Sequence, residues 1–443
     1  MLPLLPLPQS LRRNWRFGVV GLLVLCAATM HGQVAAPLAG ASLPGSPGLA
    51  DVSAATGLAL AVAFEADADS SATSDRALAL SAPVIAMQPA DRTVPEGAPA
   101  TFSVSVDRSD VAALSFQWRV DGIAIPGANT ASYTIGAAGP ADAGDYTCDV
   151  QTGEGAQTSR PATLTVIPAA QTSRFVNFSA VTSVDAAGPE AMLGYAVGGA
   201  GTSGAKSILV RAVGPSLARF GTPHPNPAPR IELFTGATKT GENDHWDGQA
   251  AVTEAAARVG AFPLGASDSA DAAMLIDAAG HSSITIKISG QAGATGVVLA
   301  EIYDATPAAA VTMATPRLVK FSALERVAAG ANVSVGFVIA GQTPKTVLVR
   351  VVGPALTDLG VAAALPDPVL TLFQGVTPIA VNDNWGGTAT LQSAFGSVGA
   401  LALDPSSKDA ALVMTLANGS YAVQASEASN AGGIALVEIY ELP

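Results

Sequence analysis

The chain has 443 residues, of which 49% are hydrophobic and 13% charged, so it can bury cores and whole-chain disorder is excluded. Glycine (45) and proline (30) are frequent but follow no collagen period. The net charge of −13 lacks the basic footprint of a nucleic-acid-binding protein, so we expect no nucleic acid partner. Two cysteines supply neither a disulfide framework nor a multi-cysteine zinc site.

The amino-terminal segment has the features of an export signal. Three arginines within 12–16 precede the apolar run FGVVGLLVLCAA (17–28), which is shorter than the ~20 residues of a membrane-spanning helix. We therefore interpret 1–36 as a signal peptide and predict no membrane span in the mature chain. An uncleaved anchor and a lipoprotein at Cys26 are the alternatives. The expected location is secreted, periplasmic or at the cell surface.

Residues 37–82 are rich in Ala, Gly, Ser and Pro, which is typical of a flexible linker. From 83 to 168 the pattern changes to short alternating runs broken by turn residues, which indicates an all-β sandwich. Trp118 lies inside the strand-like LSFQWRVDG, and the spaced DxGxYxC pattern contains Tyr146 and ends at Cys148. With these motifs the segment resembles an immunoglobulin domain of the I-set type. The resemblance implies a buried tryptophan and a tyrosine corner.

One position departs from the immunoglobulin pattern. The residue that should form a disulfide with Cys148 is Val104. The resemblance therefore implies a buried thiol that packs against Trp118 and Val104. A missing disulfide costs about 2–5 kcal/mol in a small domain, so apolar packing must make up the difference. A reactive Cys148 is the alternative, but no basic residue lies beside it in the sequence.

The remainder of the chain is an internal duplication, with one copy at 172–305 and a second at 315–443. The copies match in phrases that hold the same order at an offset of 143 falling to 137, so insertions are confined to loops. Examples are KSILVRAVGPSLARFG (206–221) with KTVLVRVVGPALTDLG (345–360), PAPRIELFTG (227–236) with PDPVLTLFQG (366–375), and GVVLAEIYD (296–304) with GIALVEIYE (433–441).

The β-branched runs of each copy predict a jelly-roll-like sandwich of about eight strands with a core of its own. Residues 250–259 predict a short surface helix. The fold class is therefore all-β, an immunoglobulin-like sandwich followed by two tandem jelly-roll-like repeats. The copies resemble a repeat common in large secreted or surface proteins of some bacteria. That resemblance implies architecture and location, and no chemistry.

Each copy contains an Asn-Asp-x-Trp turn, with Asn243 and Asp244 in the first copy and Asn382 and Asp383 in the second. Asn and Asp in a tight turn cap backbone amides, and the tryptophan can cover the end of the sandwich. The alternative is a calcium site that these four residues begin and a later aspartate of each copy completes. Calcium takes about six to eight oxygen ligands. Apart from this candidate, no cofactor is expected.

Enzymatic motifs are weak in this sequence. His245 of the first turn is replaced by Asn384 in the second copy, which contains no histidine at all. This replacement disfavours zinc ligation or Ser-His-Asp catalysis built into the repeat. The glycine-rich run at 196–206 lacks phosphate-loop spacing. We therefore expect that the protein is not an enzyme.

Two basic residues flank an apolar strand in each copy, Lys206 with Arg211 and Lys345 with Arg350. A spacing of five residues puts the two charges on opposite faces of a strand. One of each pair is expected to form an ion pair with Glu301 or Glu438 at the sandwich rim. Recognition of acidic glycans is the alternative.

These patterns predict a non-catalytic exported protein with a structural, adhesive or binding role, and an extracellular protein or glycan as partner. A carbohydrate-binding accessory protein is the alternative, and it predicts an exposed coplanar strip of aromatic side chains. An extracellular hydrolase is a further alternative, and it predicts a cleft lined by carboxylates of raised pKa.

Overall fold

The computed structural model describes residues 82–107, 114–153, 155–185 and 191–443. The predicted signal peptide and nearly all of the predicted linker lie outside the described residues. None of the helices in the described part is long and apolar enough to cross a bilayer.

The first domain is an immunoglobulin-like sandwich, and its described residues form ten short strands. Two short two-stranded sheets pair β1 with β4 and β3 with β7, and a six-stranded sheet has the order β2-β10-β8-β5-β6 with β9 on β8. The strands are β1 (Ile85–Met87), β2 (Arg92–Pro95), β3 (Ala100–Ser103), β4 (Ser105–Val106), β5 (Ser115–Val120), β6 (Ile123–Ala124), β7 (Ser132–Ile135), β8 (Gly144–Thr152), β9 (Gly155–Thr158) and β10 (Ala162–Ile167).

The core of this domain confirms the motifs read from the sequence. Trp118 is fully buried opposite Cys148, and its Nε1–H donates to the carbonyl of Thr130 at 2.9 Å. The Tyr146 hydroxyl donates to the carbonyl of Asp142 at 2.7 Å, which is the tyrosine corner. Burial and nearby Asp142 raise the pKa of Tyr146 to about 12, so the hydroxyl stays a donor.

The described residues of the duplicated region form sixteen strands in a single hydrogen-bonded network. The first copy contains β11 (Arg174–Val184), β12 (Ala191–Gly198), β13 (Ala205–Val213), β14 (Pro229–Thr235), β15 (Thr238–Asn243), β16 (Ala272–Ala279), β17 (Ser283–Gly290) and β18 (Gly296–Asp304). The second contains β19 (Arg317–Val327), β20 (Val333–Ala340), β21 (Lys345–Val352), β22 (Pro368–Gln374), β23 (Thr377–Asn382), β24 (Ala410–Leu416), β25 (Gly419–Glu427) and β26 (Gly433–Glu441).

Each copy has jelly-roll topology, as the sequence predicts. In the first copy one sheet runs β11-β18-β13-β16 and the other runs β12-β17-β14-β15, and the second copy repeats both orders. All these pairs are antiparallel. Consecutive strands β11 and β12 therefore lie in opposite sheets, which is the arrangement that wraps an eight-stranded jelly roll.

The two copies are joined by main-chain pairing along a seam. Strand β12 of the first copy pairs with β19 of the second, and β11 pairs with β20. Each sheet of one copy thus continues into a sheet of the other. Phe175 pairs with its counterpart Leu318, and the equivalent Phe178 and Phe321 stack at 4.8 Å with an interplanar angle of 9°. The seam therefore has a pseudo-twofold axis.

One core serves both copies, which differs from the separate core expected for each. A single cluster of buried apolar residues extends from β11 to β26 and includes Phe178, Phe321 and Phe337. Strands β11 and β19 are edge strands in their own copies. Their outer edges are paired, and the apolar side chains beside those edges are covered, only when the other copy extends the sheet.

A helical layer covers the outer face of one sheet in each copy. Helix α1 (Ala250–Arg258) confirms the predicted helix at 250–259, and α2 (Ala389–Ser397) is its counterpart, which the sequence analysis missed. Helix α1 packs on Leu209 and Tyr303, and α2 on Leu348 and Tyr440. Short 3₁₀ helices occupy Pro140–Asp142, Ala169–Gln171, Pro215–Phe220, Gln291–Gly293, Ala308–Ala310 and Pro354–Leu359.

Replacement of Phe321 by alanine is expected to destabilise both copies together. The change removes a buried ring from the shared core, and such truncations cost about 3–5 kcal/mol. Hydrogen exchange followed by mass spectrometry should show faster exchange in β11–β18 as well as in β19–β26. The matched control Phe102→Ala, in the immunoglobulin-like core, should loosen only that domain. Loss of protection confined to β19–β26 in Phe321→Ala would contradict the shared core.

Candidate functional site

The first Asn-Asp-x-Trp turn is held by hydrogen bonds from its asparagine. Asn243 Nδ2 donates to the carbonyl of His245 at 2.7 Å, and Asn243 Oδ1 accepts the amide of Ala273 at 2.9 Å. Asp244 is exposed, and its carboxylate lies 3.5 Å from His245 Nδ1. The asparagine therefore fastens the end of β15 to β16.

The second turn repeats this arrangement with the same atoms. Asn382 Nδ2 donates to the carbonyl of Asn384 at 3.0 Å, and Asn382 Oδ1 accepts the amide of Ala411 at 2.9 Å. Asp383 is exposed. Trp385 is 2% exposed and packs 5.3 Å from Phe395 of α2. The backbone-capping interpretation of both turns thus agrees with their geometry.

The later aspartates, which would complete a calcium site, turn their carboxylates elsewhere. Asp271 Oδ1 accepts the amides of Gly214 at 2.9 Å and Ser216 at 3.2 Å, at the start of a 3₁₀ helix. Asp409 repeats this cap with Gly353 at 2.7 Å. Only the main-chain carbonyls of the two aspartates reach the turns, where they accept the tryptophan amides at 2.9 Å.

The described part of the chain contains no group of three His, Cys, Asp or Glu side chains placed to hold a metal ion. A calcium ion at either turn would therefore depend on Asp244 or Asp383, on main-chain carbonyls and on water. Calcium binding at Asn243, Asp244, Asn382 and Asp383 stays a prediction. The binding array described below tests it by comparing calcium with a chelator.

Each copy buries an ion pair beneath its helical layer. Arg211 is fully buried with its Nε 3.1 Å from Glu301 Oε2, and the Tyr303 hydroxyl donates to Glu301 Oε1 at 2.6 Å. In the second copy, Arg350 Nη2 lies 2.8 Å from Glu438 Oε2. The prediction of these partners agrees with the structure, but their expected place at the sandwich rim is wrong.

The helical layer explains why these charges are buried. The Arg211 guanidinium lies 4.5 Å from the Phe262 ring centroid and donates to the Phe262 carbonyl at 2.9 Å. Arg350 lies 4.7 Å from the Phe395 ring in the same way. Buried charges persist only when they are paired and hydrogen-bonded. The arginine that both copies contain therefore fixes the segment after β15 or β23 onto the sheet, and its burial leaves it inaccessible to ligands.

Cys148 is a fully buried thiol in the cluster that contains Val104 and Trp118. Burial raises the pKa of this thiol to about 11, so almost no thiolate is present near neutral pH. The expectation of packing against Trp118 and Val104 is confirmed. The thiolate is the nucleophilic form of cysteine, so this environment makes Cys148 inert.

A thiol-specific alkylating reagent at pH 8 is expected to leave Cys148 unmodified in the native protein and to modify it after denaturation. Peptide mapping by mass spectrometry measures the extent of modification at this position. The control Ala156→Cys introduces an exposed thiol on β9 of the same domain, and it should react at once. Comparable native rates at the two positions would show that the thiol is accessible.

Glu325 is a buried carboxyl group in the shared core. It is 5% exposed and lies on the same face of β19 as Ala323 and Val327. Its counterpart in the first copy is Thr182, to which it hydrogen-bonds across the seam. Burial raises the pKa of Glu325 to about 8, and the hydrogen bond with Thr182 opposes that rise only in part. The carboxyl group is therefore protonated at neutral pH.

The stability of the protein is expected to fall as pH rises between about 4.5 and 8 through Glu325 alone. The pKa is about 8 in the folded chain and 4.5 as the ordinary value, so the folded state holds the extra proton throughout this window. The contribution of Glu325 to the free energy of unfolding is fully present below pH 4.5. It declines by up to about 1.4 kcal/mol per pH unit as the pH rises to about 8. Denaturant unfolding of wild type and Glu325→Gln at each pH measures it.

The difference in unfolding free energy between wild type and Glu325→Gln isolates this group, because all other titrations are common to both proteins. Glutamine keeps the shape and hydrogen-bonding capacity without a charge. A difference that does not change between pH 5 and pH 8 would contradict a buried, protonated Glu325.

No protein-family model and no curated protein matches this chain. Among solved structures the chain is similar to the titin M4 domain, with 23% identity and a TM-score of 0.18, over 19% of this chain and 96% of that one. It is also similar to tandem Ig repeats of Dlar, with 19% identity and a TM-score of 0.18, over 19% of this chain and 47% of that one.

A third match is the four N-terminal Ig domains of Dscam1 isoform 1.9, with 26% identity and a TM-score of 0.17. It covers 19% of this chain and 20% of the Dscam1 chain, so this chain spans about a fifth of that relative. These likenesses concern immunoglobulin-like domains. The immunoglobulin-like fold itself rests on the strand pairing and the core of residues 82–168.

Proposed function

We propose that this is an exported, non-catalytic protein whose immunoglobulin-like and jelly-roll domains serve a structural or adhesive role. The proposal rests on one observation: the polar residues that the sequence singles out form hydrogen bonds that hold the fold together. Asn243 and Asn382 hold turns, Asp271 caps a helix, and Arg211 pins the helical layer. Side chains committed in this way maintain a rigid scaffold and leave little for chemistry.

The merged jelly rolls support the same role. In the described residues, sixteen strands form one hydrogen-bonded network with a common core, and a separate core lies in the immunoglobulin-like sandwich. Such surfaces suit the display of loops to an extracellular protein or a glycan. We also propose that residues 172–305 and 315–443 are two units of the repeat found in bacterial surface proteins.

The carbohydrate-binding alternative draws less support from the aromatic residues. Trp385 is 2% exposed, and Trp246 is partly buried with its Nε1–H donating to the carbonyl of Ala266 at 3.2 Å. Both tryptophans pack against the helical layer. Neither therefore offers the open ring face on which a sugar would stack.

An array of extracellular proteins and glycans tests the proposal, with the full mature chain applied in calcium and in a chelator. Saturable binding without turnover of the ligand is expected. If the calcium prediction holds, binding is lost in the chelator and in Asp383→Asn, while Asp358→Asn, an exposed acid outside the turn, binds normally. Chemical conversion of an array ligand by the purified chain would overturn the non-catalytic role.

A further inference from the structure

Basic side chains from both copies lie next to the point on the seam where Phe175 pairs with Leu318, since Arg174 and Arg317 directly precede these two residues. Four cations and the two carboxylates that they share form a group that we call the seam cation cluster. The cations are Arg174, Lys206, Arg317 and Lys345, and the carboxylates are Asp304 and Glu441. The two halves are equivalent by the duplication, since Arg174, Lys206 and Asp304 correspond to Arg317, Lys345 and Glu441.

Each carboxylate of the cluster is shared by two cations. Asp304 lies 2.8 Å from Lys206 Nζ and 3.4 Å from Arg174 Nε. Glu441 lies 2.9 Å from Lys345 Nζ and 3.0 Å from Arg317 Nη2. In the described part of the chain no other acidic side chain forms an ion pair with these four cations. Four positive charges against two negative ones leave an excess of two positive charges.

The two halves act on each other across the seam. Burial lowers the pKa of Lys206, and the charges of Arg174 and Arg317 lower it further although Asp304 opposes them. Arg317 belongs to the second copy but pairs with Gly198 and lies against Gly199 of the first, where a Cβ atom would come within 2.7 Å of its Nη2. The positive potential of one half therefore reaches the other.

The side chains of the cluster range from fully buried to partly exposed. The side chains of Lys206 and Asp304 are 1% exposed, whereas those of Arg174 and Lys345 are 13% exposed and that of Arg317 is 29% exposed. Within the described residues, Nη2 of Arg174 and Nη1 of Arg317 donate no hydrogen bond. Two guanidinium donors therefore remain available beside solvent, above a desolvated base.

We propose that the seam cation cluster binds a doubly charged oxyanion, a sulfate or phosphate group, whose oxygens accept the free N–H groups of Arg174 and Arg317. Guanidinium groups match the tetrahedral oxygens of such ions through paired N–H donors. A dianion neutralises the excess of two positive charges, whereas one chloride ion neutralises only one of them. The site is set in a chain of net charge −13, so a general attraction for polyanions is weak.

Titration calorimetry of the full mature chain with sodium sulfate, in chloride buffer at constant ionic strength, tests the site. Saturable binding of one sulfate per chain is expected, with phosphate competing for the same site. Arg317→Gln is expected to weaken sulfate binding by about tenfold or more, because it removes a charge-assisted donor. The control Lys239→Gln removes an equal charge from the exposed pairs with Glu232 and Glu242, and it should bind sulfate as wild type does.

Absence of saturable sulfate binding by the wild-type chain would overturn the proposal, and this result needs no variant. Equal affinities of Arg317→Gln and Lys239→Gln would overturn it as well. Sulfate also stabilises proteins by exclusion from their surfaces, but that effect grows without saturation and is the same in both variants. The experiment does not depend on an adhesive role, so its failure leaves the proposed function unaffected.

Competition by polymers identifies the source of the oxyanion. Sulfated dextran that displaces inorganic sulfate from wild type, when neutral dextran does not, assigns the site to sulfate esters of a glycan. Displacement by inorganic phosphate but not by sulfated dextran assigns it to a free ion. Either result supports the seam cation cluster as an oxyanion site.

Discussion

The hydrogen bonding of strand edges at the seam is the constraint on which the duplicated region depends. In an isolated copy, β11 and β12 would end their sheets with open rows of amide and carbonyl groups. Here β20 and β19 of the other copy pair with those strands, each pairing having one irregularity in its register. The pairing then brings Phe178 and Phe321 face to face, so main-chain bonding and apolar burial favour the same arrangement.

Buried ionisable side chains differ between the interior of each copy and the seam. The Arg211 and Arg350 ion pairs lie under the helical layers, and the second pair repeats the residues of the first. At the seam the two copies differ, because the counterpart of the buried Glu325 is Thr182, with which it forms a hydrogen bond. A protonated acid therefore occurs in the shared core, whereas the buried charges of Arg211 and Arg350 are paired beneath the helical layers.

The sequence predicts much of this fold because its strongest signals are local. The alternating runs, Trp118 and Tyr146 define the immunoglobulin-like sandwich, and the repeated phrases define two jelly rolls. Helix α1 is visible through its alanines, whereas α2 contains Thr390, Ser393 and Gly396, which are poorer helix formers. Pairing between copies is not visible, because self-similarity identifies equivalent strands and says nothing about which edges meet.

The candidate site shows the same division between local and distant information. The turn geometry of Asn243 and Asn382 follows from their neighbours, and it agrees with the capping interpretation. The carboxylate of Asp271 caps a helix that begins at Pro215, a contact across more than fifty residues that spacing does not reveal. The seam cation cluster likewise combines residues from Arg174 to Glu441, so only the folded chain brings it together.

Fusion of the two copies in one polypeptide fixes their stoichiometry, because each always has its complement tethered nearby and dilution cannot separate them. The same fusion sets an order of events during synthesis. Residues 172–305 leave the ribosome first, and the open margins of β11 and β12 must wait until β19 and β20 have followed. A chain truncated near residue 316 would keep those margins bare, and it would be prone to self-association through them.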